Sequence, residues 1–314
     1  EHAAQALAHG FIAKMGGYPV TRDGIKALFA GIKIWRRGDE RAPHKPLLLL
    51  LALGRVQKAV RWLPYEDVQN ELGRLLLEFG PPRPTKVIDP FLRLAKDKLW
   101  TFSSDIELPF RHSLLLQEEV AGGFIEPVYS CLLQDPALVT ELAEGLLHDH
   151  FPASLHEDIL QAVGLNLALA EKTPRDPGFR QRVLLAYEYS CAVCGFNVRL
   201  GHNPVALDAA HIKWHQSGGP DVESNGLALC SLHHKLFDRG AFALCYSDGD
   251  YIVKVAQQAH GTTGFAEWLL AYHDQAIRKP QSPHYDPAPT YTEWHWREVF
   301  REPSRYSLGR DLGL

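Results

Sequence analysis

The chain has 314 residues, 46% of them hydrophobic and 22% charged, with a formal net charge of −4. That composition excludes a disordered, collagen-like or coiled-coil chain, and the length suggests about two domains. The longest apolar run, Leu47 to Leu53, falls far short of the about 20 residues a membrane helix needs, so nothing is expected to cross a bilayer.

Taken in chain order, Arg36 to Pro43 reads as a charged loop, and His44-Lys45-Pro46 opens a helix running from Leu47 to about Val60. That helix is apolar nearly all round, so it is expected to be buried. Val68, Leu72, Leu75 and Leu76 lie at helical spacing and predict a second helix over Tyr65–Phe79, ended by Gly80-Pro81-Pro82. After a Lys96-Asp97-Lys98 turn, residues 99–102 predict a short strand. Two more helices are expected near Ala137–His148 and Leu155–Val163. Two prolines and a glycine between Lys172 and Gly178 mark a domain boundary. A helix over Phe179–Tyr189 follows. After about residue 260 comes a segment with Trp294, Trp296 and Phe300, which should pack on the body or on a second subunit. The organisation is therefore a recognition domain at 1–165, a linker at 166–179, a second domain at 180–260 and a packing segment at 261–314.

The net charge hides segregation. Between His112 and Glu171 there are ten acidic residues and no Lys or Arg, whereas Gly31 to Trp62 holds eight basic residues and two acidic ones. A local basic surface matters more for phosphate binding than the total, although two solvated faces of unlike sign would look the same. The five cysteines, at 131, 191, 194, 230 and 245, are odd in number and not spread as a disulfide framework, which favours a reducing, cytoplasmic setting. Residues 1–14 lack the features of a secretory signal; Met15 is the only methionine, and the status of residues 1–14 stays open.

Cys191-Ala192-Val193-Cys194 and Cys230-Ser231-Leu232-His233 form two tight pairs that can wrap one tetrahedral zinc with all four positions filled by protein, a structural site. Cys131 and Cys245 read as ordinary buried thiols. Between the pairs lie His211 and Asn225, and His234 follows directly. Here the sequence resembles the HNH endonuclease family over roughly Arg180 to Leu244. The resemblance implies a ββα-metal finger that hydrolyses phosphodiesters with a catalytic Mg²⁺ or Mn²⁺. His211 suits a general base because imidazole titrates near working pH. Asn225 could hold the base-bearing strand through a backbone bond, or sit near the ion. Adjacent helical residues point about 100° apart, so His233 can face zinc while His234 faces the catalytic ion. Many members of the family carry Asp directly before the first His, where this chain has Ala210. Asp208 is the nearest carboxylate and is taken with His234 as a ligand of the catalytic ion, although on a regular strand it points away from His211 and could reach the ion only through a bulge or at the strand end. His215 reads as loop surface.

Arg41 to Leu50, Asp89-Pro90-Phe91-Leu92-Arg93-Leu94 and Asp97-Lys98-Leu99-Trp100 resemble the DNA sulfur-binding domain. That family recognises double-stranded DNA in which one non-bridging phosphate oxygen is sulfur, and occurs fused to HNH domains in type IV restriction endonucleases. Sulfur is larger and less well hydrated than oxygen, so an apolar dent rimmed with cations would prefer it. On this reading Pro90 helps form the dent, Arg41, His44 and Lys45 hold the phosphate, and Lys98 and Arg111 read flanking bases. The expected whole is an α+β protein: a mostly helical recognition domain followed by a zinc-stabilised nuclease finger, with no membrane partner and with a homodimer left open. Two rivals remain at this point, an HNH nuclease directed at a modified base such as methylcytosine and a DNA-binding regulator with an inactive finger.

Overall fold

The computed structural model describes residues 21–35, 38–84, 86–104, 112–167 and 177–306. The first half is helical. It comprises α1 (Arg22–Ala30), α2 (His44–Val56), α3 (Tyr65–Phe79), α4 (Ile88–Arg93), α5 (His112–Gln117), α6 (Glu126–Gln134), α7 (Pro136–His150) and α8 (Ala153–Val163). Its one sheet among the described residues has β1 (Leu63–Pro64), β2 (Trp100–Phe102) and β3 (Ala121–Phe124), with β3 central and antiparallel to both neighbours.

Helix α2 is the axis of this half. Every residue from Pro46 to Leu53 is buried, as its unbroken apolar run requires, and α3, α4, α6, α7 and α8 pack around it. Helix α3 has the bounds that its periodicity predicts. The expected strand forms as β2. The boundary region differs from expectation at its end, because Pro177 and Gly178 belong to a helix, α9 (Pro177–Ala186), rather than to a linker. Proline is well placed there, since the first turn has no intrahelical acceptor for the missing N–H.

The second half contains a short ribbon, β4 (Arg199–Leu200) with β5 (Asn203–Pro204), and a hairpin of β6 (Leu207–His211) and β7 (Gly226–Cys230). The register of that hairpin sets Leu207 opposite Cys230 and His211 opposite Gly226. Helix α10 (Ser231–Asp238) follows β7 directly and packs on both strands. A second hairpin, β8 (Phe242–Ser247) and β9 (Asp250–Val255), precedes α11 (Thr263–Trp268) and α12 (Pro289–Glu298).

The C-terminal segment packs on the body, as its aromatics suggest. Trp294 and Phe300 are buried. Trp294 and Trp214 belong to the same apolar core as α2, and their rings lie 6.0 Å apart. Polar contacts lock the two halves together. Lys213 reaches Asp39 at 3.0 Å, Lys235 reaches Asp158 at 2.8 Å and Arg239 reaches Glu78 at 2.8 Å. The fully buried carboxylate of Glu298 accepts from Arg83 at 3.0 Å. No helix among the described residues is long and apolar enough to cross a membrane.

Candidate nuclease centre and recognition face

The four residues of the two tight pairs converge. The Sγ atoms of Cys194 and Cys230 are 3.9 Å apart, and Nδ1 of His233 lies 3.7 Å from Cys191 Sγ and 3.2 Å from Cys230 Sγ. All four ligand atoms fall within 4.8 Å of one another. A tetrahedral zinc with Zn–S bonds of about 2.3 Å requires sulfurs about 3.8 Å apart, so this donor set fits the ion. Nε2 of His233 lies 2.8 Å from the carbonyl of Trp268 and can donate to it, which fixes the tautomer that presents Nδ1 to the cluster. Cys131 and Cys245 stand apart, unpaired with each other and half-buried rather than buried.

His211 ends β6. Its ring stacks on Phe179 of α9, with centroids 4.1 Å apart and planes 19° from parallel. Its Nε2 lies 2.7 Å from Oδ1 of Asp221. Asn225 is fully buried, and its amide is committed to the backbone. It accepts from Lys213 N at 2.8 Å and donates to the carbonyls of Lys213 at 3.0 Å and Pro220 at 2.9 Å. Of the two placements open for Asn225, the structure thus shows the backbone one. The loop from Ile212 to Ser224 is closed by this amide, and closure brings the backbone so near that a Cβ on Gly219 would lie 1.8 Å from Lys213 O; only glycine fits.

His234 points away from its neighbour, as helix geometry demands. His233 is buried in the cysteine cluster, whereas His234 Nε2 lies 3.2 Å from Asp238 one turn on. Asp238 is itself buried and also accepts from Ser154 of α8, so the first half of the chain touches the support of His234. Asp208 corrects the expectation of a metal ligand. It alternates to the other side of β6, where it pairs with Arg180 at 2.9 Å. Among the described residues the cysteine cluster is the only group of three or more side chains assembled for a metal. The set expected for a catalytic ion, His234 with Asp208, is not brought together. His215 is exposed, as expected.

The expected recognition residues divide. Arg41 is 6% exposed and faces inward. Its guanidinium lies 3.9 Å over the Trp214 ring and donates to the carbonyls of Glu298 at 2.8 Å and Phe79 at 2.6 Å. Burial pushes its pKa down. It bolts the two halves together and does not form a phosphate rim. Lys45 is likewise engaged, in an ion pair with the buried side chain of Asp97 and at 2.8 Å from Lys33 O. His44 is half-buried, and burial followed by the nearby Arg83 pushes its pKa down, so near neutral pH it is uncharged. Pro90 is buried in the first turn of α4. Lys98 is exposed, at a left-handed backbone position with φ 61°. Arg111 lies outside the described residues. Sequence reasoning missed Asp221; its only signal was a carboxylate in the loop between two trio members.

A family model for the ScoMcrA-like DNA sulfur-binding domain matches residues 22–168, and one for the HNH endonuclease matches residues 191–244. No curated protein matches the chain significantly. Among solved structures, the sulfur-binding domain of ScoMcrA complexed with phosphorothioated DNA is 25% identical, with a TM-score of 0.39. The match covers 44% of this chain and 94% of that one. The corresponding domain of SprMcrA is 23% identical with a TM-score of 0.40, covering 46% and 94%. The type IV phosphorothioation-dependent restriction endonuclease ScoMcrA is 24% identical with a TM-score of 0.37, and there the match covers 46% of this chain and 36% of that one. The chain thus joins a ScoMcrA-like DNA sulfur-binding domain to an HNH endonuclease domain.

Proposed function

We propose that the first domain binds phosphorothioate-modified duplex DNA and that the finger hydrolyses a phosphodiester nearby. The observation that carries the reading is the union, in one chain, of a sulfur-binding domain with a finger whose His211 is oriented at the end of β6. Zinc in the Cys191, Cys194, Cys230 and His233 cluster would tie the start of the finger to α10 and hold the hairpin against the helix. His211 takes the proton of the attacking water. Asn225 holds the loop after His211 in one shape, so the base is placed before substrate arrives. Mg²⁺ or Mn²⁺, when bound, would draw charge from the phosphate oxygens, and His234 is the side chain that would hold it. Asp208 does not fit that role. His44 and Lys98 remain as candidate DNA contacts, joined by Arg111. None of the five cysteines is in a disulfide, which fits a cytoplasmic setting.

The test uses duplexes of one sequence that are phosphorothioate, methylated or unmodified, incubated with the full chain and Mg²⁺ or Mn²⁺. Cleavage confined to the phosphorothioate duplex is expected. His211→Ala should abolish it while leaving DNA binding intact. Cleavage of the methylated duplex instead, or undiminished cleavage by His211→Ala, overturns the reading.

A further inference from the structure

The chemistry of His211 depends on which ring nitrogen carries the proton. Its Nε2 meets Asp221 Oδ1 at 2.7 Å, and the Phe179 stack fixes the plane of the ring. Asp221 is brought there by the architecture of its loop. Asn225 Nδ2 holds the carbonyl of Pro220, the preceding residue, at 2.9 Å. Arg182 of α9 donates to the carbonyl of Asp221 itself at 2.8 Å and pairs with Glu223 at 3.0 Å. The carboxylate is thus anchored from both sides of the chain, while the nearest alternative, Asp208, is committed to Arg180.

On the reading of His211 as the base, we infer that Asp221 is a positioning residue. Its carboxylate accepts a hydrogen bond from Nε2–H, holds the imidazole in the Nε2–H tautomer and leaves Nδ1 as the nitrogen that does the work. Nδ1 takes one proton from water as the water oxygen bonds to phosphorus. The bond from phosphorus to the leaving oxygen breaks, and that oxygen takes a proton from solvent. The imidazolium formed on the way is stabilised by the negative charge of Asp221. A carboxylate is required rather than any polar group, because an amide at the same position can donate to Nε2 and favour the opposite tautomer.

The test compares full-length wild type, Asp221→Asn and Asp221→Glu on the phosphorothioate duplex. Asp221→Asn should lower kcat about 10²- to 10⁴-fold, with KM and duplex affinity within about twofold of wild type; Asp221→Glu should recover part of the loss. Nitrogen NMR of the histidines, with the His211 signals identified from a His211→Gln spectrum, should show a protonated Nε2 and bare Nδ1 in wild type and loss of that pattern in Asp221→Asn. A wild-type kcat in Asp221→Asn, or an unchanged tautomer, overturns the inference. Activity of Asp221→Asn restored by raising Mn²⁺ also overturns it, since that marks a metal ligand. The tautomer reading needs no cleavage, so an inert wild type with the pattern intact supports the pairing and refutes the nuclease reading instead.

Discussion

Acidification should loosen the packing of α12 on α10, and His295 sets the size of the effect. Its ring stacks on Phe237 with centroids 3.7 Å apart and planes 4° from parallel, and its Nε2 donates to the Phe237 carbonyl at 3.0 Å. Nδ1 is buried without a hydrogen-bond partner, so the neutral Nε2–H form suits the site. Burial pushes its pKa from 6.5 down to about 4. Between those values the unfolded chain binds a proton that the native state refuses. The stabilisation is therefore complete above pH 6.5 and is lost as pH falls through about 4. A shift from 6.5 to about 4 corresponds to about 3 kcal/mol in all, of which about 2 kcal/mol is lost by pH 5. Urea unfolding of wild type and His295→Phe at pH 7.5 and pH 5 measures this. Phenylalanine keeps the stacking surface but cannot titrate, and the groups common to both proteins cancel in the comparison. Wild type should lose about 2 kcal/mol more than the variant on acidification; equal losses would refute the burial of a neutral imidazole.

Cys194→Ala should release zinc, seen by elemental analysis, and unfold the finger, because structural zinc contributes about 10–16 kcal/mol in small fingers. Lys45→Ala leaves the Asp97 carboxylate with only the bond from Lys33 N and should destabilise by about 1–3 kcal/mol, seen in urea unfolding; Asp97→Asn added to it should restore much of the loss. Arg41→Ala should destabilise by about 3 kcal/mol, through the lost stack on Trp214 and the stranded carbonyls of Glu298 and Phe79. It should leave the salt dependence of DNA binding unchanged, whereas a slope reduced by about one would return Arg41 to the phosphate-binding face.

Helix α2 was legible because an apolar run with no polar stripe has few ways to be satisfied other than burial, and α3 because one face repeats at helical spacing. The cysteine cluster was legible because pairs separated by two residues are local. β3 was not. Its sequence, Ala121-Gly122-Gly123-Phe124, carries two glycines, which usually weaken a strand. A Cβ on Gly122 would lie 2.5 Å from Trp100 Nε1, and one on Gly123 would lie 2.4 Å from the carbonyl of Arg61. The glycines admit neighbours that sequence does not reveal. Arg41 and Lys45 were misread for a related reason. A basic run looks the same whether its charges face phosphate or the protein interior, and the Glu298 carbonyl that accepts from the Arg41 guanidinium lies 257 positions away.

The carboxylates around His211 show where such reading stops. Along β6 the alternation of side chains is fixed by the backbone, so Asp208 could be doubted from spacing alone, and the structure turns it toward Arg180. From Ile212 to Ser224 the chain has no period, and no count of residues tells which carboxylate returns to the strand end. What decides it is Asn225. Its amide bonds Lys213 on one side of the loop and Pro220 on the other, with Gly219 admitting the close approach, and Asp221 is the next residue along. Removing that amide would strand three backbone groups at about 1 kcal/mol or more each. It would also release the carboxylate that meets His211. The middle member of the trio thus acts on the first by shaping the loop between them, and the geometry of the base is a property of the loop as much as of the histidine.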